Sequence, residues 1–370
     1  MHKYKCLIIF IIVLFFMDIG VVNADILYSQ NGDTLKINST VNTSNSISNF
    51  NHLHSMEIDN SNNKAFLSIL STKKINDDLT SYNNVEYVFD LGSFKDNEFN
   101  RPHANVNLNV FGLKSNKFGS LDYGLNRCIM EDTNLIHDEK INTNNDLFHF
   151  NNNFLIGATD NILTYRNNNF FGLAKDLKVS FQYQGRNIDL NSIENNEYSL
   201  GSSIKYKNKL GFSAAGAVFY GKRSVHRIED MQGSMAHAYA LSAKYIHDKA
   251  YLSVFYGKTS NVIPQVSNNY FDKDNRSIKL LVGYHFIPKM NSSIAYSESQ
   301  SHKLDILGFP EKDKTMFFSK KIDFSNYYHI NKNIGTYLNY TINLLQDNNY
   351  LSNSHISTHD NIDIGLIYHL

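Results

Sequence analysis

The chain has 370 residues, a mean hydropathy of −0.36 and equal numbers of basic and acidic residues, 35 of each. This balance gives no electrostatic footprint for nucleic acid, so we predict no nucleic-acid partner. Its only two cysteines are Cys6 and Cys128, and it contains no tryptophan.

Residues 1–24 have the pattern of a secretory signal peptide. Two lysines precede an apolar run that ends at Met17, and the segment closes on a small-residue cleavage site at Ala24. A membrane anchor is the competing interpretation, but Asp18 interrupts the run and the cleavage site follows soon after. We therefore predict an exported protein, residues 25–370, in which a single cysteine remains and an intrachain disulfide is excluded.

Beyond the signal segment, apolar residues recur with a period of two, which is typical of amphipathic strands. At the end of the chain Ile362, Ile364, Leu366 and Tyr368 alternate with polar residues and Gly365. The pattern predicts sixteen strands, at residues 34–42, 64–72, 80–90, 104–114, 117–124, 160–168, 177–186, 197–208, 210–220, 236–246, 249–258, 276–287, 290–299, 315–328, 332–343 and 360–370.

In the strand predicted at 104–114, Val106, Leu108 and Val110 alternate with three asparagines. We therefore assign these three residues to the apolar outer face of that strand.

The predicted connections alternate between long polar segments and tight turns. This alternation is the organisation of an up-and-down transmembrane barrel, whose strands of about 10 residues are apolar outside and polar inside. The predicted fold class is thus all-β, a 16-stranded antiparallel transmembrane β-barrel.

A secreted β-sandwich would show the same alternation. That fold usually has about 7 to 9 strands in about 100 residues, so this chain would need two or three domains. No linker separates such domains, and the chain has only 4 prolines. Aromatic residues recur at predicted strand ends, which favours the interfacial girdles of a membrane barrel. They include Tyr206, Tyr220, Tyr245, Tyr256, Tyr284, Phe286, Tyr296, Tyr327, Tyr328 and Tyr368.

Several segments together resemble the general trimeric porins of the enterobacterial outer membrane. The resemblance is carried by Thr164-Tyr165-Arg166-Asn167, Phe170-Phe171-Gly172-Leu173, Phe181-Gln182-Tyr183-Gln184-Gly185-Arg186-Asn187, Phe111-Gly112-Leu113-Lys114, Gly119-Ser120-Leu121-Asp122-Tyr123-Gly124 and Gly365-Leu366-Ile367-Tyr368. It covers essentially all of 25–370.

The resemblance implies an outer-membrane homotrimer in which each subunit holds a water-filled pore for ions and small hydrophilic solutes. It also implies that the third external loop, between Asn126 and about Phe154, folds into the lumen and narrows it. The partners it implies are outer-membrane lipid and lipopolysaccharide, together with the assembly machinery, which reads the C-terminal strand. The chain departs from the family there, because it ends in Leu370 and not in an aromatic residue.

In that family, acidic groups on the inward loop face basic groups on the barrel wall, and the field between them sets selectivity. The wall positions that the family fills with basic residues are here Thr40, Phe66, Asn107, Leu125 and Ala158.

The constriction loop carries charges of both signs, at Arg127, Glu131, Asp132, Asp138, Glu139 and Lys140. The family's glycine-containing loop tip is replaced by Ile141–Asn145, which removes backbone freedom there. If Arg127 and Lys140 do not neutralise the carboxylates, we expect a cation-favouring pore. The alternative is that these are solvated loop charges without influence on selectivity.

Sequence motifs for catalysis are absent, since there is no Gly-x-Ser-x-Gly elbow, paired-cysteine metal spacing or phosphate-binding glycine loop. The pairs His52/His54 and His355/His359 lie in Asn- and Ser-rich segments without a carboxylate or cysteine at ligand spacing, and we interpret them as solvated loop residues. Cys128 has no neighbouring histidine to activate it, so we interpret it as an incidental small residue. No enzyme activity, cofactor or metal is predicted.

The function predicted is passive diffusion through an outer-membrane pore. The alternative is a structural or surface-interaction barrel with reduced transport. The absence of the family's basic wall residues favours this alternative. A substrate-specific channel would need an aromatic slide along the lumen, whereas the assigned inward positions are mostly Asn, Ser, Thr and Gln.

Overall fold

The computed structural model describes residues 27–48, 57–91, 103–135, 155–186, 196–223, 233–262, 274–302, 315–346 and 356–369. The predicted signal peptide lies outside the described residues. Within the described ranges, no helix is long and apolar enough to cross a membrane.

Nearly all of these residues belong to strands. In chain order they are β1 (Tyr28–Gln30), β2 (Asp33–Ser48), β3 (Glu57–Lys74), β4 (Leu79–Asp90), β5 (His103–Ser115), β6 (Gly119–Arg127), β7 (Ala158–Asn167), β8 (Leu177–Gln184), β9 (Asn196–Lys207), β10 (Phe212–Arg223), β11 (Met235–His247), β12 (Ala250–Ser260), β13 (Asp274–Ile287), β14 (Met290–His302), β15 (Thr315–His329), β16 (Ile334–Asn343) and β17 (Asn361–His369).

Strands β2–β17 form a closed antiparallel barrel. Each pairs with its neighbours in the chain, and β17 returns to pair with β2, where His369 is the partner of Thr40. The short strand β1 adds to the start of β2. Because a closed ladder has no free edge, the strands satisfy one another's backbone groups, as a spanning structure in lipid requires.

The sixteen-stranded antiparallel barrel predicted from the sequence is confirmed, but two strands are much longer than predicted. β2 has 16 residues and β3 has 18, and they remain paired as far as Ser48 and Glu57. Their outer ends are rich in Asn and Ser and show no apolar alternation. A strand that continues beyond the lipid has water on both sides, so its sequence loses the pattern on which the prediction depended.

The short turns contain residues that accept positive φ angles. Asn31 (φ 54°) and Gly32 (φ 87°) connect β1 to β2, a pair that is favourable in tight hairpins. Asp248 (φ 52°) lies in the two-residue turn between β11 and β12. Seven short connections lie at one end of the barrel, here called the short-turn end. They are β3–β4, β5–β6, β7–β8, β9–β10, β11–β12, β13–β14 and β15–β16. In outer-membrane barrels this end faces the periplasm.

The two faces of the wall differ in burial. Along β10, Ala215, Ala217 and Phe219 are buried and point inward, whereas Val218 and Tyr220 are exposed and point outward. Exposed apolar side chains continue around the outer face, for example at Leu241 of β11. An apolar exterior of this kind suits contact with lipid.

The prediction for Val106, Leu108 and Val110 is wrong. Leu108 and Val110 are 5% and 4% exposed and face the interior, whereas Val106 is 43% exposed and faces outward. The cause is a β-bulge in β5. Glu86 of β4 pairs with Leu108 and the next residue, Tyr87, pairs with Val106, so Asn107 is an extra residue between them. One extra residue reverses which face the following residues occupy.

Tyrosine rings of the inner face lie directly over glycines of the neighbouring strand. Tyr251 and Tyr337 cover their direct cross-strand partners, Gly283 and Gly365, whereas Tyr327 reaches diagonally over Gly335, the partner of His329. In each pair, a Cβ added to the glycine would overlap the tyrosine ring. Aromatic cover of a strand glycine stabilises register, so these contacts help to align β12 with β13, β15 with β16 and β16 with β17.

Candidate pore lining

The connection after β6 begins against the inner wall of the barrel. Its first residues form a 3-10 turn, Ile129–Thr133, which packs on β9, β10 and β11. Ile129 and Met130 are almost completely buried, together with Leu155 near the far end of the connection and Phe219 of β10. Both described ends of the connection are thus held by one apolar cluster inside the barrel.

Two features of the wall allow this close packing. At Gly201 of β9, a Cβ would stand 2.7 Å from Cδ1 of Leu155 and 2.8 Å from Cγ2 of Ile129, so a larger residue would displace the cluster. On β8, Nε2 of Gln182 donates to the carbonyl oxygen of Arg127 at 2.8 Å. Small and polar inner residues therefore fix where the connection starts.

Three carboxylates gather at this position. Oδ2 of Asp132 accepts a hydrogen bond from Oγ of Ser203 on β9 at 2.5 Å. Oε2 of Glu86 on β4 lies 2.5 Å from Nη2 of Arg127. Glu131 interacts electrostatically with both Arg127 and Asp132. Arg166 also acts on Glu131 and lies 3.5 Å from Asp122, so two guanidinium groups meet four acidic side chains in the described part of the lining, which leaves an excess of acidic groups.

The protein atoms around Glu131 perturb its ionisation. The pKa of Glu131 is raised to about 7, chiefly because burial disfavours the charged form; repulsion from Asp132 and Glu86 adds to the increase, and Arg127 and Arg166 oppose it. The side chain nevertheless keeps an exposed surface. Water favours the ionised form, which makes solvent access and burial act on the pKa of Glu131 in opposite directions.

The first two wall positions singled out in the sequence lie side by side. Thr40 on β2 and Phe66 on β3 are direct cross-strand partners, and Val88 on β4 is the next partner in the row. Oγ1 of Thr40 lies 3.1 Å from Nδ1 of His369. This row faces the interior and carries no charged side chain.

The other three wall positions lie elsewhere. Asn107 is the extra residue of the bulge in β5. Leu125 is the partner of Asn109, and the register places both on the outer side of the wall. Ala158 pairs with Arg127 at the start of β7 and is half-buried. The structure does not bring these three together with Thr40.

Part of the predicted constriction loop lies outside the described residues, namely Asp138, Glu139, Lys140 and the stretch 141–145. Arg127, Glu131 and Asp132 are described and lie together. That the whole loop folds into the lumen therefore stays a prediction.

Sequence reasoning missed two charged groups of the lining. Glu86 pairs with the loop base, as described above. Asp122 of β6 accepts from Oη of Tyr82 and from Nδ2 of Asn126, each at 2.5 Å, and lies 3.5 Å from Nη1 of Arg166. Asp122 sits at a polar position between two outward apolar residues, and that alternation was the available signal.

Burial divides the inner wall into two parts. Inward side chains of β12–β14 are almost free of solvent, for example Ser253 (0%), Ser277 (3%) and Ser299 (2%). Inward side chains of β2–β4 and β15–β17 are mostly half-exposed. The water-accessible side of the described interior thus runs along β15–β17 and β2–β4, past Thr40 and Phe66.

The thiol of Cys128 provides a test of the loop base. Its side chain is buried, its backbone N donates to the carbonyl oxygen of Gly157 at 2.7 Å, and burial raises the pKa of the thiol well above its ordinary value. We expect a maleimide at neutral pH to leave Cys128 of folded 25–370 unmodified over hours and to label it within minutes after denaturation. A cysteine at the exposed turn position Asp77 (D77C) is the positive control. Rapid labelling of native Cys128 would mean that the base of the loop is not packed on the wall.

A closed barrel of sixteen antiparallel strands, apolar outside and polar within, defines a transmembrane channel of the outer-membrane type. The sequence profile described as Gram-negative porin matches residues 31–370. The chain belongs to this family and is an outer-membrane protein.

Relatives cover the whole chain. A porin-like protein of Buchnera aphidicola subsp. Schizaphis graminum is 30% identical over 100% of both chains. Outer membrane porin F of Escherichia coli K12 is 30% identical over 82% of each chain. The structure of Salmonella typhi OmpF in complex with daunomycin superimposes with a TM-score of 0.79 at 25% identity, and the match covers 93% of this chain and 99% of that one. The likeness fits a trimeric outer-membrane protein.

Proposed function

We propose that this porin conducts ions and small hydrophilic solutes by passive diffusion and favours cations over anions. Family membership supports a channel without enzymatic activity. The observation that carries the cation preference is the excess of acidic over basic groups at the loop base, where Glu86, Asp122, Glu131 and Asp132 outnumber Arg127 and Arg166. The row of Thr40, Phe66 and Val88 adds no positive charge. Excess negative charge in a narrow polar passage attracts cations and repels anions.

The working form that we propose is a homotrimer in outer-membrane lipid, with lipopolysaccharide around it and with the third loop folded into each lumen. The apolar cluster that holds both described ends of that loop supports the loop conformation. We also propose that the outer-membrane assembly machinery reads β17, whose outward residues Ile364 and Leu366 are exposed.

One observation favours a barrel with reduced transport, retained for structure or surface interaction. The inner wall of β12–β14 is nearly solvent-free, so only part of the described interior meets water. Such a barrel would fold and trimerise yet pass little current.

Single-channel recording separates the two proposals. Refolded 25–370 is inserted into a planar bilayer that separates two concentrations of potassium chloride. We expect stepwise openings, closures in thirds, and a reversal potential of the sign set by potassium. Folded trimers that pass no current would overturn the diffusion function, and a reversal potential of the opposite sign would overturn the cation preference.

A further inference from the structure

The turn between β7 and β8 folds back over the outer wall of the barrel. Asn167 and Val179 are cross-strand partners on the same face as Tyr165 and Phe181, which point outward. An outward side chain is normally exposed, yet Asn167 is 0% and Val179 is 9% exposed. The turn covers them, because the ring of Phe171 stacks on that of Tyr165 with 6.4 Å between centroids. The turn thus lies on the membrane side of the sheet.

Two consecutive phenylalanines of this turn have a left-handed backbone. The φ angle is 44° at Phe170 and 59° at Phe171, a conformation that bulky residues rarely adopt. Oδ1 of Asn167 accepts from the backbone nitrogens of Asn169 at 3.2 Å and Phe171 at 2.9 Å, and Oδ1 of Asn169 accepts from that of Gly172 at 3.1 Å. A strained backbone held this firmly is typical of a segment with a function, and here it places two phenyl rings at the outer surface.

The turn between β5 and β6 extends the same surface. Oη of Tyr165 donates to the carbonyl oxygen of Phe118 at 2.7 Å, which connects the two turns. Phe118, Phe170 and Phe171 are exposed, and Leu173 is 82% exposed. Four large apolar side chains of the turns are therefore open to whatever surrounds the barrel.

Lysines accompany these apolar side chains. Nζ of Lys117 lies 5.3 Å from the ring centroid of Phe118. Lys175 is exposed and follows Leu173 by two residues in the β7–β8 turn. The turn carboxylate is Asp176, so the two turns together carry two lysines and one acidic residue. The surface is thus both apolar and positively charged.

Not every short turn has this character. The next turn along the sheet, between β9 and β10, repeats it with Lys209 beside the exposed Leu210. The turn between β3 and β4 also exposes an apolar residue, Ile75, but its charged residues are Asp77 and Asp78. It provides a comparison at the same end of the barrel with the opposite charge.

A lipid leaflet fits both features of the surface. The wall beside it is apolar, since Leu121, Leu163 and Phe181 are exposed and point outward. The turns continue this wall beyond the last strand pairs, to the boundary between acyl chains and headgroups, where aromatic side chains are favoured. Lysines at such a boundary keep their stems on apolar surface and extend their ammonium groups to the headgroups.

We propose that the lysine–aromatic patch, defined as Lys117, Phe118, Phe170, Phe171, Leu173 and Lys175, binds anionic phospholipid of the periplasmic leaflet. The rings and Leu173 contact the acyl chains next to the glycerol, and the two ammonium groups bind the phosphate of the headgroup. A lysine near an anionic membrane surface strengthens the attraction by about fivefold, so the two lysines select an anionic lipid over a zwitterionic one. The patch lies on the outer wall, and its binding of lipid does not depend on conduction.

Tryptophan fluorescence tests this contact, because the chain has no tryptophan of its own. Leu173→Trp places a reporter in the patch of refolded 25–370. The barrel is inserted into phosphatidylcholine vesicles in which about a fifth of the lipid is either phosphatidylglycerol or phosphatidylcholine with brominated acyl chains. We expect the apparent association constant from quenching to be at least about threefold higher for the brominated phosphatidylglycerol. Lys117→Gln/Lys175→Gln should remove this preference and keep the quenching by brominated phosphatidylcholine.

Ile75→Trp is the matched control, an exposed reporter beside Asp77 and Asp78 that should be quenched equally by the two lipids. Equal quenching at Leu173→Trp would overturn the selection of anionic headgroups. No quenching there by either lipid, in a barrel that keeps its folded electrophoretic mobility, would place the patch outside the membrane and overturn the proposal as well. Loss of conduction with the lipid preference intact would count against the pore function alone.

Discussion

Replacing Glu131 and Asp132 together by their amides is expected to lower the cation/anion permeability ratio of the channel about 25-fold at a pH where both are ionised. A unit charge about 10 Å from a permeating ion changes its energy by about 0.5 kcal/mol at an effective dielectric constant of about 60. Cations and anions shift in opposite directions, so each lost charge changes the ratio about fivefold. The measurement is the reversal potential of Glu131→Gln/Asp132→Asn in a salt gradient.

The same variants give a pH test. Glu131 is neutral below its raised pKa of about 7 and negative above it. Raising the pH from about 5.5 to about 8.5 should therefore increase the cation preference, and Glu131→Gln should remove most of that increase. Asp77→Asn, at an exposed turn, is the matched control and should behave like the original channel. An unchanged reversal potential in the double variant would show that these carboxylates do not set selectivity.

Gly283→Ala is expected to destabilise the barrel by about 1–3 kcal/mol, the usual cost of overpacking. The new Cβ would overlap the ring of Tyr251, which is 8% exposed and is held by a hydrogen bond from its hydroxyl to Oδ1 of Asn291 at 3.0 Å. Displacing the ring would strain this hydrogen bond. Stability is measured as the urea midpoint of the refolded barrel in lipid.

The chain lacks tryptophan, so unfolding is followed by circular dichroism or by the electrophoretic shift of the folded barrel. Gly185→Ala is the matched control, because nothing lies within 4 Å of the position its Cβ would take. The double variant Gly283→Ala/Tyr251→Ala should lose less stability than the sum of the two single variants, since the overlap disappears with the ring. Additive losses would show that Tyr251 and Gly283 do not interact.

Local patterns in the sequence were sufficient for the architecture. Alternation with a period of two reports which residues of a strand share a face, and sixteen such segments with alternating short and long connections specify a barrel. The resemblance to a known family assigned Arg127, Glu131 and Asp132 to one loop, and the structure brings these three together.

Register and cross-strand contacts required the fold. The bulge at Asn107 reverses the faces of Leu108 and Val110, and no local pattern distinguishes an extra residue from a regular one. Glu86 meets Arg127 across 41 positions of sequence. Such pairs depend on how strands align, which a period of two does not encode.

The contact between the first and last barrel strands shows the same division. Thr40 and His369 are ordinary polar residues of β2 and β17, where the alternation predicts only that each faces water. They become neighbours because the barrel closes β17 onto β2. Closure of the sheet is a long-range event, and it places His369 beside Thr40, residues from opposite ends of the chain.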